Sequence, residues 1–82
     1  MIVTTAEHRL ALETTHLPAD VMAVTEEMVR AEMIRSDELR YRHRDEAAAA
    51  RVQRNAAMYV VRATAAGHPK AQRLALAVVA DR

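Results

Sequence analysis

Residues 19–66, ADVMAVTEEMVRAEMIRSDELRYRHRDEAAAARVQRNAAMYVVRATAA, contain neither glycine nor proline. The chain as a whole has 18 alanines in 82 residues. Glycine and proline are the strongest helix breakers and alanine is the best helix former, so this stretch predicts long α-helices. Gly67 is the single glycine of the chain, and His68 and Pro69 follow it. That order predicts a helix that ends in a left-handed glycine cap and a new helix that begins at proline.

Helix-start signals outside and inside this stretch predict four helices. Thr4 and Glu7 have the spacing of a capping box. Pro18 suits a first helical position, and Ser36 followed by two acids suits an N-cap. The predicted helices cover approximately residues 5–16, 18–35, 37–66 and 69–80. We therefore expect an all-α fold, a small helical bundle of about four helices in a single domain, residues 1–82, with one long helix.

The predicted break between the second and third helices rests on the directions of two apolar stripes. At about 100° per residue, the stripe that contains Val21 and Val24 would lie about 100° around a straight helix from the stripe that contains Val52. One straight helix would then bury two different faces. Since Ser36 is a good N-cap, we predict a break near residues 35–37, and the alternative is a continuous rod of about 70 Å. The earlier stripe consists of Val21, Val24, Met28 and Ala31.

The composition leaves little material for a hydrophobic core. Phe, Trp and Cys are absent, and Tyr41 and Tyr59 are the only aromatic residues. Burial of apolar area stabilises by about 25 cal/mol per Å², so alanine-rich helices gain little each. At this length a single core supplies only about 3–5 kcal/mol. We therefore expect a homodimer to complete the bundle. The absence of cysteine excludes disulfides and thiolate chemistry.

A heptad-like seam along the predicted third helix is the expected interface. Its members recur at spacings of three and four residues, and most are small, which allows close helix pairing. The seam consists of Ala49, Val52, Ala56, Tyr59, Ala63 and Ala66. It predicts that this helix pairs with itself in a dimer or accepts a helix of a protein partner.

A stripe of arginines lies beside this seam. Five arginines project within about 40° of one direction on a continuous helix: Arg40, Arg44, Arg51, Arg54 and Arg62. Such a stripe suits an acidic protein groove or a phosphate backbone. Acids are interleaved at residues 37, 38, 45 and 46, and the net charge is only +1, which favours a solvated face or a protein partner over nucleic acid.

The charges are also divided along the chain. Residues 1–34 carry four more acids than bases, whereas residues 35–82 carry five more bases than acids. An acidic second helix packed on the basic third helix, within one chain or across a dimer, would pair these charges with each other.

Two motifs raise other hypotheses. Glu13 and His16 have the Glu-x-x-His spacing of di-iron bundles, but the chain has one such pair and His16 falls at a helix end. We therefore expect no metal. Ala63 and Gly67 have the spacing of a helix-turn-helix turn, yet the following helix presents leucine, alanine and valine where base-reading side chains belong. No residue pattern indicates catalysis or a cofactor, so we expect no enzyme.

Three methionines, Met22, Met28 and Met33, gather on the predicted second helix, where they serve as core or as an adaptable partner surface. Residues 74–80 are apolar on every face of the last helix, which predicts burial. There is no basic leader, and the longest apolar run is far shorter than a membrane span, so we expect a cytoplasmic protein without a membrane segment.

Together these patterns predict a small non-enzymatic interaction protein that self-associates or binds a protein partner through its long third helix. Nucleic-acid binding through the arginine stripe is the alternative. A metal-binding bundle through Glu13 and His16 is a minor one.

Overall fold

The computed structural model describes residues 16–79, and within this range the chain is helical and contains no strand. The all-α prediction is therefore confirmed. The predicted helix over residues 5–16, with its capping box, lies outside the described residues apart from His16. A short 3₁₀ turn is followed by three α-helices, and the first of these continues without interruption as a π-helix, here called the π segment. The bounds are Val21–Ala23 for the 3₁₀ turn, Glu26–Asp37 for α1, Glu38–Arg42 for the π segment, Glu46–Ala65 for α2 and Ala71–Val79 for α3.

Helix α1 begins later than the predicted start at Pro18. Asp20 caps only the 3₁₀ turn, where its carboxylate accepts from the Met22 amide at 3.0 Å. The chain is then extended until Thr25, whose hydroxyl accepts from the Met28 amide at 3.2 Å and caps α1. Asp20 and Thr25 are both able to cap a helix. Thr25 starts α1 because Glu26 and a second acid follow it at the positive end of the helix dipole.

This later start removes the predicted apolar stripe of the second helix. Val24 is buried in the extended segment, whereas Met28 and Ala31 are exposed on α1. The buried side chains of α1 are Val29, Glu32, Met33 and Ser36. The stripe was therefore wrong because half of its members do not lie on an α-helix.

The break between the two helices of the long stretch is real, but its predicted position near residues 35–37 was wrong. The helix runs through Ser36 and the π segment, and the chain turns at Arg44, whose φ is 56°. Asp45 is the N-cap of α2 and accepts from the Ala48 amide at 3.0 Å. Ser36 is fully buried, and its hydroxyl donates to the Ala49 carbonyl at 2.9 Å. The serine therefore joins two helices instead of starting one.

The three helices pack against one another and enclose two clusters of buried side chains. The cluster near the turn between α1 and α2 consists of Leu39, Ala48, Ala49 and Val52. The second cluster, at the end of the molecule where α3 packs, consists of Leu17, Val24, Val29, Val60, Ala63, Leu74 and Ala77. Alanine and valine supply much of both clusters, which places the helices close together.

The connection between α2 and α3 has the predicted glycine cap. Gly67 has a φ of 81°, its amide donates to the Thr64 carbonyl at 3.1 Å, and the His68 amide donates to the Ala63 carbonyl at 2.9 Å. These two bonds define a Schellman motif. Helix α3 then begins at Ala71, two residues after the predicted start at Pro69.

The His68 ring ties this connection to the segment before α1. Its Nδ1 accepts from the Lys70 amide at 3.0 Å, so the ring proton lies on Nε2, which donates to the Val24 carbonyl at 2.9 Å. The imidazole thus bridges parts of the chain 44 residues apart.

Helix α3 is buried on one side only. Leu74 and Ala77 are buried, whereas Leu76 is 61% and Val79 is 55% exposed. The predicted burial of this helix on every face was therefore wrong for the described residues, because α1 and α2 cover a single side of it.

Candidate interaction surface

The predicted seam forms the inside of the chain's own fold. Ala49, Val52, Ala56 and Ala63 are all buried, at 0–1% exposure. Tyr59 is half-buried against the second cluster, and Ala66 is exposed. Since the seam of α2 packs on α1 and α3, a partner has to meet a different face of α2.

The break at residues 43–45 divides the predicted arginine stripe into two groups. Arg40 lies in the π segment and Arg44 in the turn. The Arg40 side chain is only 17% exposed and lies 3.3 Å from Glu46, 3.1 Å from Gln53 and 3.9 Å from Asp37. It links the end of α1 to the start of α2, so this member of the stripe is occupied internally.

The other three arginines lie on α2 and face solvent: Arg51, Arg54 and Arg62. Among the described residues, none of them is within ion-pair distance of a carboxylate. The Arg62 guanidinium lies 6.0 Å from the centre of the Tyr59 ring, at the limit of a cation–π contact. The predicted pairing of an acidic helix with a basic one therefore leaves these three charges unused.

These arginines surround exposed apolar side chains on the face of α2 opposite its seam. Met58 is 46% and Val61 is 66% exposed. At about 100° per residue, Met58 points about 130° and Val61 about 170° away from the centre of the seam. We call the set Arg51, Arg54, Met58, Val61 and Arg62 the outer face of α2. Residues 47–65 contain no acid, so this face is apolar and purely basic.

Helix α1, together with the first residue of the π segment, carries a complementary face that the sequence patterns did not predict. Glu27, Ala31, Ile34 and Glu38 follow one another at spacings of four, three and four residues and lie opposite the buried side of α1. Ile34 is 62% exposed. Glu27 has no ion pair among the described residues, and Glu38 is 4.0 Å from Arg42. We call this set the outer face of α1. The sequence pattern had assigned Ala31 to the predicted apolar stripe of the second helix instead.

The three methionines predicted to share a surface are separated. Met33 is 6% exposed and belongs to the interior, whereas Met22 and Met28 are exposed at 44% and 39%. Met22 borders an open cavity of about 450 Å³ between the start of α1 and the turn before α3. The cavity is also lined by Thr25, Glu26, Glu27, His68 and Lys70.

Glu26, on the wall of this cavity, is engaged in ion pairs. Its carboxylate lies 2.6 Å from Arg30 of the same helix and 3.3 Å from Arg73 of α3. The hydrogen bond from Arg30 holds the pKa of the Glu26 carboxyl below its ordinary value of 4.5, and the charges of Arg73 and Lys70 act in the same direction. Glu26 therefore joins α1 to α3 as an anion.

Of the predicted metal pair, Glu13 lies outside the described residues and His16 is exposed. Within residues 16–79, no group of three His, Cys, Asp or Glu side chains is placed to hold a metal ion. In the same range, no helix combines the length and hydropathy that crossing a membrane would require.

In comparisons with known proteins, the chain matches no family model, no curated protein and no solved structure.

Proposed function

We propose that the chain is a small non-enzymatic interaction protein that uses the outer face of α2 to bind a second copy or another protein. The observation that carries this proposal is the composition of that face. Two apolar side chains about half or more exposed, Met58 and Val61, lie among three arginines without ion-pair partners in the described part of the chain. Apolar side chains framed by arginine are characteristic of protein interfaces.

The location of the seam supports the outer face as the binding surface. Because Ala49, Val52, Ala56 and Ala63 are buried by α1 and α3, a partner could reach them only by displacing those helices. The outer face needs no such rearrangement. Ala57 and Ala65 each lie one turn from Val61, which lets a partner helix approach the α2 backbone closely there.

Site-specific photo-crosslinking in the host cell tests the proposal. A photoreactive amino acid at position 58 should give covalent protein adducts, either with the chain itself or with another protein. The matched control is position 76, where Leu76 is 61% exposed on α3, away from the proposed surface. Adducts at position 58 and none at 76 support the proposal. No adducts at position 58, or equal yields at both positions, would contradict it.

Nucleic-acid binding is the second candidate, and the unpaired arginines of α2 are the observation in its favour. Arg51 and Arg62 are eleven residues apart, a distance of about 16.5 Å along the helix, over which cations could follow a phosphate backbone. Electrophoretic retardation of duplex DNA at low salt would support this function, and the double variant Arg44→Ala/Arg51→Ala should abolish it. Absence of retardation at low salt removes the candidate.

A further inference from the structure

We infer that the outer face of α2 binds the outer face of α1 from a second copy of the chain. The inference rests on the proposed function, because it names the partner of the same surface. It is carried by three observations on the described residues: the charges of the two faces, the spacing of those charges, and the exposed apolar side chains between them.

The charges of the two faces are opposite, and among residues 16–79 no ion pair joins one face to the other, Glu38 being 4.0 Å from Arg42. The outer face of α1 carries Glu27 and Glu38, whereas that of α2 carries Arg51, Arg54 and Arg62. The contacts between helices use other groups, namely Arg40 with Glu46 and Arg73 with Glu26. The carboxylates of the outer face of α1 and the arginines of the outer face of α2 can therefore pair with those of a neighbouring molecule.

The spacing of the charges also matches. Glu27 and Glu38 are eleven residues apart, and so are Arg51 and Arg62, which gives about 16.5 Å along each helix. In an antiparallel pairing, Glu27 of one copy meets Arg62 of the next, and Glu38 meets Arg51. Antiparallel helices also oppose their dipoles favourably.

The same register matches apolar side chains by size. When Glu27 is opposite Arg62, the small Ala31 lies opposite the larger Met58. Ile34, which is 62% exposed, lies one turn after Ala31 on α1. A small side chain opposite a large one allows the two helices to pack closely. The exposed apolar side chains of both helices would thus leave water together.

Two other occupants of the outer face of α2 fit less well. Pairing α2 with α2 of a second copy would bring three unpaired arginines from each chain together, and like charges at an interface are unfavourable. A phosphate backbone would neutralise the arginines but would leave Met58 and Val61 without an apolar partner. The outer face of α1 offers carboxylates to the arginines and apolar side chains to Met58 and Val61.

This contact joins different surfaces of the two copies. The inner sides of α1 and α2 pack on each other, so their outer faces point to opposite sides of the helix pair. An interface between unlike faces leaves one acidic and one basic face free in each new complex, so it forms rings or open chains. We therefore expect assemblies whose mean size grows with protein concentration.

A charge-exchange experiment tests the inference on the full chain by sedimentation velocity. The first variant, Arg51→Glu/Arg62→Glu, makes both outer faces acidic. The second variant, Glu27→Arg/Glu38→Arg, makes both basic. Each variant alone should stay monomeric at concentrations where the wild type assembles, whereas an equimolar mixture of the two should assemble again. Circular dichroism should show that each retains its helices.

Controls separate specific pairing from a general effect of charge. The variant Gln72→Glu/Ala75→Glu adds two acids at exposed positions of α3 and should assemble like the wild type. Raising NaCl from about 50 mM to about 500 mM should weaken assembly of the wild type, because screening shortens the reach of the charges. If either reversed-charge variant fails to fold, Arg51→Gln/Arg62→Gln and Glu27→Gln/Glu38→Gln should each weaken assembly at least tenfold.

Three results would overturn the inference: a wild type that is monomeric at hundreds of micromolar, a single charge variant that assembles like the wild type, or a mixture that remains monomeric. Failure of the inference is distinguishable from failure of the proposed function. Crosslinks from position 58 to a different protein, together with a monomeric wild type, would leave the function intact and remove the second copy as partner.

Discussion

The two connections between the helices solve the same geometric problem with different residues. Each requires one residue in the left-handed region, Arg44 with a φ of 56° between α1 and α2, and Gly67 with a φ of 81° between α2 and α3. Glycine adopts this conformation without steric cost, whereas a residue with a Cβ does so at a cost of about 1–2 kcal/mol. The second connection was therefore readable from the sequence, and the first was not.

The surroundings of the two connections also differ. The turn at Gly67 is fixed by the Schellman bonds, by the His68 bridge to Val24 and by the buried Leu74. The turn at Arg44 is closed by the Asp45 amide, which donates to the Leu39 carbonyl at 2.8 Å. It is flanked by the Asp45 cap and by the buried Ser36 hydroxyl. A left-handed arginine therefore persists where a backbone hydrogen bond closes the turn and caps and packing hold both sides of it.

The largest expected effect lies at the α2–α3 end. Leu74 is fully buried among Val60, Ala63 and Ala77, so Leu74→Ala should destabilise the chain by about 3 kcal/mol through the cavity it leaves. The matched control is Leu76→Ala, on the exposed side of the same helix, which should cost less than about 0.5 kcal/mol. Urea unfolding followed by circular dichroism measures both. Equal losses would show that α3 does not pack as described.

Gly67→Ala tests the glycine turn directly. A Cβ at this position would meet nothing within 4 Å, so the cost comes from the backbone conformation alone. The left-handed penalty, reduced by the lower entropy of the unfolded alanine chain, leaves a destabilisation of about 1 kcal/mol. Chemical denaturation measures this difference. Unchanged stability would indicate that the turn does not need a left-handed residue.

Arg44→Gly is the reciprocal test, and the sign of its effect should be opposite. Relief of the left-handed conformation exceeds the added entropy of the unfolded chain, so the free energy of unfolding should rise by about 0.5 kcal/mol. Arg44→Ala serves as the control, since alanine keeps the backbone strain while removing the side chain. If the alanine variant were stabilised as much as the glycine variant, the side chain and not the backbone would be responsible.

The smallest effect concerns pH and the ion pairs that join α1 to α3. Because the folded state lowers the pKa of Glu26, the ionised carboxylate stabilises the fold. That contribution is complete above the ordinary value of 4.5 and disappears as the pH falls through the lower folded value. Glu26→Gln should therefore be less stable than the wild type at pH 7 but equal to it at strongly acidic pH. Thermal unfolding across this range compares them; a constant difference at all pH values would contradict the assignment.

The sequence predicted the elements whose signals are local and failed where packing decided between competing signals. The glycine cap and the helical content followed from residue propensities, and the presence of two helices in residues 19–66 followed from the different directions of two apolar stripes. The position of their break did not, because Ser36 has the features of an N-cap in the sequence, and only its burial against Ala49 shows its structural role.

The candidate site illustrates the same limit. Periodicity identified the apolar seam and the arginine stripe of the predicted third helix. It could not show which of these two faces the rest of the chain covers. The heptad pattern of the seam predicts close helix packing, and this pattern is the same whether α1 or a second chain packs on it. Likewise, periodicity placed Arg40 and Arg51 in one stripe, whereas the turn at Arg44 puts them on different helical segments.

The two sides of α2 should respond differently to protein concentration if the seam holds the fold and the outer face binds a second copy, as we propose. The ε-methyl groups of methionine provide separate NMR reporters, because Met58 lies on the outer face whereas Met33 is buried in the interior. In a dilution series of the wild type, the Met58 methyl signal should shift or broaden with increasing concentration while that of Met33 stays constant. A Met58 signal that does not change up to hundreds of micromolar, or one that changes no more than Met33, would contradict the account.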